Sequence, residues 1–222
     1  MIHRDRVQLF DAWAADYDST VLAADHQFPF AGYQDVLEEI VYQSQVQPCM
    51  TVLDLGTGTG NLAAKFLAQG CQVWGVDFSA EMLAEATSKL PGGVFVQADL
   101  LGDWPSLIQR RFDRVISSYI FHEFDLDTKV SLLQRIATRY LATDGCIVIG
   151  DIAFTSVEIR AGAQMRWNNR WDEDEYYWVA DETIHACQSV GLNVKFTQIS
   201  VCGGVFLITQ GKLSLNDHQT QN

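Results

Sequence analysis

Three aspartates, Asp54, Asp77 and Asp99, follow one another at near-equal spacing, and each stands at the end of a short apolar run. The first opens Asp54-Leu55-Gly56-Thr57-Gly58-Thr59-Gly60, with glycine at every second position; the second ends Val73-Trp74-Gly75-Val76-Asp77; the third ends Val94-Phe95-Val96-Gln97-Ala98-Asp99. A carboxylate accepts hydrogen bonds, so an acid at Asp77 suits both hydroxyls of a ribose. One at Asp99 suits the exocyclic amine of an adenine, with the backbone of Leu100 pairing with the ring. Alternating glycines let a ligand touch backbone where side chains would otherwise stand. Each aspartate alone has a plain alternative, capping the turn that follows it. Three in register behind a glycine turn point instead to a nucleoside ligand.

The elements that must position them are legible in the hydrophobic pattern. From residue 51 to 153, apolar strand-like runs at 51–55, 72–76, 93–97, 112–117 and 146–152 alternate with helical patterns. The helices fall after Gly60, at 79–90 and at 127–141; Gly70 is a helix C-terminal cap and Asp144-Gly145 a turn before the fifth strand. This alternation predicts a parallel sheet with helices on both faces, whose ligands lie beyond the carboxyl ends of the strands. A helix from an N-cap at Asp181 to Gly191 follows, then two runs at 194–200 and 205–209 joined through Cys202-Gly203-Gly204. So short a connection joins antiparallel neighbours. The expectation is a Rossmann-like α/β fold, a mostly parallel seven-stranded sheet ending in an antiparallel hairpin.

Length and composition bound the function. The 222 residues suit a single domain over residues 1–213, with a helical cap at 1–47, a lid insertion at 155–180 and a flexible tail at 214–222. Only 15 basic residues face 28 acidic ones, a net charge of −13, which argues against nucleic acid and anionic membrane surfaces as partners. No apolar run approaches the roughly 18 residues of a membrane span, and the first residues lack the apolar core of a signal peptide. Five cysteines with no Cys-x-x-Cys pair read as buried free thiols, not a zinc site, so no metal and a cytoplasmic location are expected. In the lid, Trp167, Trp171, Trp178, Tyr176 and Tyr177 suit a planar or cationic small molecule, and Asp172-Glu173-Asp174-Glu175 reads as a solvated face.

Two nucleoside classes meet this pattern. Gly58-Thr59-Gly60-Asn61-Leu62-Ala63 matches a dinucleotide fingerprint with Asp77 as the ribose acid. Against it, Asp54 would sit beside a pyrophosphate, whereas a ligand carrying an ammonium and a sulfonium would welcome that carboxylate. No tyrosine has a lysine four residues later, and a closing hairpin fits an all-parallel dehydrogenase poorly.

The stretches Asp54 to Gly60, Asp77-Phe78-Ser79-Ala80-Glu81-Met82-Leu83 and Ala98-Asp99-Leu100 resemble the successive cofactor motifs of class I S-adenosylmethionine-dependent methyltransferases. Phe112-Asp113-Arg114-Val115-Ile116-Ser117-Ser118 with Phe121-His122-Glu123-Phe124 resembles the fourth strand and its loop. The opening residues 10–21 and the chain length resemble a small bacterial group, the YrrT-like methyltransferases; the likeness covers about residues 8–210. It implies S-adenosylmethionine as cofactor and S-adenosylhomocysteine as product. It implies that Gly56, Thr57, Gly58 and Gly60 lie under the methionine part, that Asp77 holds the ribose, and that Asp99 with Leu100 holds adenine between Phe78 and Met82. Tyr17 and Trp13 belong to a helix over the cofactor, and Ser117 heads the loop where the methyl group leaves. One departure is Glu123, where many relatives carry a second histidine.

In that loop His122 is a candidate to orient or deprotonate an acceptor and Tyr119 to supply a hydroxyl; the plain alternative is that His122 packs beneath the loop and holds backbone. A sulfonium methyl is already activated, so in-line approach and exclusion of water count for more than acid–base help. The expected activity is methyl transfer to a small molecule. Its alternatives are a non-catalytic S-adenosylmethionine-binding protein and an NAD-dependent reductase.

Overall fold

Helices α1 (Tyr17–Ala23) and α2 (Tyr33–Ser44) precede the first strand in the computed structural model, which describes residues 17–211. There follow β1 (Thr51–Leu55), α3 (Asn61–Leu67), β2 (Gln72–Asp77), α4 (Ala80–Lys89), β3 (Val94–Gln97), β4 (Phe112–Ser118), α5 (Leu126–Arg139) and β5 (Leu141–Phe154). The described residues end with α6 (Val157–Arg166), β6 (Trp178–Val179), α7 (Ala180–Ser189), β7 (Leu192–Gln198) and β8 (Gly203–Gln210). The part of the N-terminal helical pattern before Tyr17, with Trp13, and the tail expected at 214–222 lie outside the described residues.

The sheet order is β3-β2-β1-β4-β5-β8-β7. The first five strands are parallel, and β8 enters antiparallel between β5 and β7, which gives the expected hairpin. Chain direction across the sheet reverses between β1 and β4, the place where an open α/β sheet leaves a crevice at its strand ends. Both faces are covered, so the strands are apolar on both sides. Leu53, Leu55, Val115, Ile147 and Ile149 enter one core with Leu133 and Ile136 of α5. Their alternates Val52, Ile116 and Val148 enter the other with Val36 and Ile40 of α2 and Phe66 of α3. Each such large side chain, fully buried, contributes about 2–3 kcal/mol.

Local chemistry fixes the helix ends. Ser79 accepts the Met82 N–H at 3.1 Å to start α4, and Asp125 accepts the Thr128 N–H at 2.8 Å to start α5. Past α3, Gly70 at φ +79° donates to the Leu67 carbonyl at 2.9 Å and Cys71 to Phe66 at 3.2 Å, a Schellman-type stop.

Three expectations are corrected. Leu141 opens β5 instead of ending α5, because Asp144-Gly145 is absorbed by a register shift opposite Phe112 and Arg114 and does not delay the strand. Asp181 lies in the first turn of α7; Val179 takes the cap position because Trp178 and Val179 pair with Ala153 and Phe154 up to that point. Cys49 is exposed, not a core filler. The cap and lid segments meet through stacked rings, with Phe28 4.9 Å from Trp167 and 5.6 Å from Trp171. Among the described residues no helix is long and apolar enough to cross a membrane.

Candidate active site

The glycine turn follows β1, and Gly56, Gly58 and Gly60 all take left-handed φ, at +66°, +54° and +88°. Their roles differ. A Cβ on Gly56 would stand 2.9 Å from the Ile120 side chain, so this glycine admits the loop after β4. At Gly58 no described atom lies within 4 Å of that position, so here the turn opens its backbone. The Gly58 N–H donates to Asp77 Oδ2 at 2.9 Å and the Ser79 N–H to Asp77 Oδ1 at 2.9 Å. Asp77, the last residue of β2 and only 6% exposed, thereby ties the turn to the start of α4. A carboxylate offers about four acceptor positions in all.

Asp54 packs beneath the turn. It is buried, accepting the Thr57 hydroxyl at 2.8 Å and a backbone N–H from Ala63. Burial, with the nearby charge of Asp77, pushes its carboxyl up to about 7. It braces the turn from below. Asp99 accepts the Leu101 N–H at 2.9 Å and so shapes the loop after β3, beside buried Leu100. Met82 is buried in the first turn of α4, with Phe78 half-buried just ahead of it. The Ser117 hydroxyl donates to the Leu55 carbonyl at 2.7 Å, fastening β4 to β1.

Tyr17 approaches the same rim from α1. Burial holds its phenol well above the usual range, and the fields of Tyr33, Asp77, Asp18 and Asp151 add to it. The next residue escaped the sequence reading. Asp18 Oδ1 accepts from Thr59 Oγ1 at 2.5 Å and from Asn61 Nδ2 at 2.9 Å, while its other oxygen pairs with Lys89. Burial opposes ionisation there, but these partners outweigh it and hold the carboxyl below its usual value.

The loop after β4 is strained at Tyr119, whose φ of +52° is uncommon for a bulky residue. Its N–H donates to the Gly150 carbonyl at 3.0 Å, and its ring lies 5.2 Å from Tyr33 and 5.7 Å from Phe30. The Tyr119 hydroxyl is buried with no hydrogen-bond partner among the described residues.

His122, in a short turn at Phe121–Glu123, is buried against β5. Its Nδ1 lies 2.6 Å from Asp151 Oδ1, and its backbone N–H donates to Asp151 Oδ2 at 2.9 Å. Trp178 Nε1 also donates to that oxygen, at 3.0 Å, which anchors this buried ring at the base of the cavity described below. Burial pulls the imidazole pKa down, yet Asp151, Glu175 and Glu123 outweigh it and hold it at about 9. An imidazole so held is a cation at neutral pH, not a ready base. Glu175, expected on a solvated face, turns inward to 3.7 Å from His122 Nε2. Lys129, 2% exposed, lies 4.5 Å from the Trp178 ring centroid; burial pulls its amine down to about 8. A cavity of about 300 Å³ adjoins, lined by Lys129, Arg160, Gln164, Glu175 and Tyr177 among others.

A glycine turn opened at one residue, held by an acid at the next strand end, is the geometry of a nucleoside rim, and comparison with known proteins decides which. Residues 52–145 match the family model of the methyltransferase domain. An uncharacterised methyltransferase of Oceanobacillus iheyensis is 30% identical over 220 residues, 95% of this chain and 99% of that protein. The uncharacterised methyltransferase YrrT of Bacillus subtilis is 32% identical over 206 residues, 88% of this chain and 93% of that one. The chain belongs to the YrrT-like, class I S-adenosylmethionine-dependent methyltransferases. Solved structures share the fold of this methyltransferase. The DhpI–SAH complex superposes with a TM-score of 0.71 at 19% identity, covering 93% of this chain and 95% of that one. The magnesium protoporphyrin IX methyltransferase of Synechocystis PCC 6803, with bound SAH, gives 0.68 at 14% identity over 92% and 99%. Asp18, Asp151 and Glu175 lie outside the matched span of this methyltransferase, Asp151 on the part of β5 that runs on past it.

Proposed function

We propose that this enzyme moves the methyl group of S-adenosylmethionine to a small-molecule acceptor admitted between the loop after β4 and the segment 155–180. The observation that carries the reading is the partnerless buried hydroxyl of Tyr119, on a strained residue of the loop that faces the glycine turn. A buried hydroxyl left unpaired costs about 1–3 kcal/mol, a cost that a bound ligand removes. In this reading the open backbone at Gly58 underlies the methionine part, Asp77 takes the ribose, and Asp99 with Leu100 takes adenine beside Phe78 and Met82. Tyr17 closes over the donor.

Chemistry then needs little from the protein beyond placement. The acceptor's lone pair attacks the sulfonium methyl in line, the sulfur–carbon electrons return to sulfur as the thioether leaves, and a proton shed by a protic acceptor passes to solvent. Tyr119 orients the acceptor through its hydroxyl. His122, a cation fixed by Asp151, supplies position and charge and abstracts no proton.

Isothermal titration with S-adenosylhomocysteine and with NAD tests the donor, and tritiated methyl transfer into a cell metabolite extract tests the acceptor. The expected result is binding of S-adenosylhomocysteine alone and label in dialysable product. Label confined to macromolecules overturns the small-molecule acceptor, and full-affinity nucleoside binding with no labelled product in any fraction favours a non-catalytic binder.

A further inference from the structure

His122 Nε2, Glu123 Oε1 and Glu175 Oε1 converge, the three ligand atoms all lying within 4.8 Å of one another. The nitrogen is 3.9 Å from the Glu123 oxygen and 3.7 Å from the Glu175 oxygen, beyond hydrogen-bond range in both cases. An ion held at about 2.0–2.2 Å by nitrogen and oxygen ligands sets those ligands roughly 3–4 Å apart. Both separations fall in that interval.

The opposite ring nitrogen is prepared for such a role. Asp151, fully buried, receives His122 Nδ1 at 2.6 Å, the His122 N–H at 2.9 Å, the Ile152 N–H at 2.8 Å and Trp178 Nε1 at 3.0 Å. A carboxylate on Nδ1 keeps that nitrogen protonated and fixes the ring plane, the arrangement that supports metal-binding histidines, so a metal entering at Nε2 displaces only the outer proton of the imidazolium.

We propose that His122, Glu123 and Glu175 bind a divalent transition-metal cation, positioned by Asp151 on the acceptor side of the methyl-transfer site. The sequence gives no cysteine or histidine spacing for a metal because the ligands come from two distant loops. One histidine with two carboxylates suits Mn²⁺, Co²⁺ or Zn²⁺ over Ca²⁺ or Cu⁺. The location on the acceptor side rests on the methyl-transfer reading; the existence of the site does not.

The test uses the full chain stripped with a chelator, then titrated with Co²⁺ and followed by its visible d–d absorption, with Zn²⁺ by calorimetry. One Co²⁺ per chain is expected, with micromolar or tighter affinity, displaced by Zn²⁺. Glu175→Gln and His122→Ala should each weaken binding at least tenfold, and circular dichroism checks that they remain folded. Asp151→Asn, which leaves the ligands in place, should weaken it less. Absence of saturable Co²⁺ and Zn²⁺ binding below 1 mM in folded wild-type chain overturns the proposal, as does binding that survives in both ligand variants. S-adenosylhomocysteine titration of the same stripped protein separates the readings: nucleoside binding without metal binding removes the metal site alone, and metal without nucleoside removes the donor reading alone.

Discussion

Asp18 Oδ1 accepts the Thr59 hydroxyl at 2.5 Å, and this bond joins α1 to the turn that carries Gly58 and Gly60. Asn61 and Lys89 complete the clasp from two further elements. A bond to a charged group contributes about 1.5–3 kcal/mol when shielded, and partial exposure of Asp18 brings this nearer 1 kcal/mol. Asp18→Ala should lower the melting temperature by a few degrees and speed S-adenosylhomocysteine release several-fold in stopped-flow measurements. An unaltered release rate would show that α1 does not cover the ligand.

In the proposed reading the donor depends most on Asp77. Asp77→Ala removes the acceptor for the Gly58 and Ser79 N–H groups together with the proposed ribose contact. Losing hydrogen bonds to a charged group costs roughly 1.5–3 kcal/mol, a ten- to hundredfold drop in S-adenosylhomocysteine affinity by calorimetry. Asp77→Asn retains one acceptor oxygen and should fall between. Full affinity in the alanine variant would take Asp77 away from the ribose.

Two glycines of one turn should answer the same substitution differently. Both carry a left-handed backbone that costs an L-residue roughly 1–2 kcal/mol. Gly56→Ala also drives a methyl group against Ile120, so its melting temperature should fall well below that of Gly58→Ala. Gly58→Ala, with open space around it, should stay folded yet lose most nucleoside affinity. Thermal melts and calorimetry on the pair decide this; equal melting temperatures would contradict the assigned division of labour.

Asp54 makes stability depend on pH. Unfolded, an aspartate titrates near 3.9, while the folded carboxyl is pushed up to about 7, so between these values the native state keeps a proton that the unfolded chain has released. Its contribution to stability is therefore complete below about pH 4 and lost as the pH rises through 7. Asp54→Asn cannot ionise. From pH 5 to pH 8 the wild type should lose roughly 2–3 kcal/mol relative to that variant in urea unfolding. Parallel pH profiles would mean that Asp54 is ionised in the fold.

Local motifs were legible in the sequence and assembled sites were not. The glycine turn, Asp77 and Asp99 could be read because strand, turn and helix are contiguous, so spacing alone sets their geometry. Asp18 lay in a helix that the resemblance places over the cofactor, but its own part was hidden because its partners stand more than forty residues away. Glu175 looked like one more acid in a solvated run; the bond from the Tyr176 N–H to the His122 carbonyl at 2.7 Å holds the adjacent backbone against the loop after β4. Asp151 left one usable signal, a lone carboxylate interrupting the apolar strand Ile147-Val148-Ile149-Gly150-Asp151-Ile152. A buried acid in such a run needs a dedicated partner, and here that partner is His122. Tertiary pairing also overrode local chemistry at Asp181, where two ladder residues displaced a favourable cap.

The sandwich of Phe28 between Trp167 and Trp171 welds two stretches that both fall outside the span shared with the general methyltransferase domain. Substitutions across this one aromatic seam would therefore shift the cap against the segment after β5 while leaving β1, β2 and the turn between them as they are.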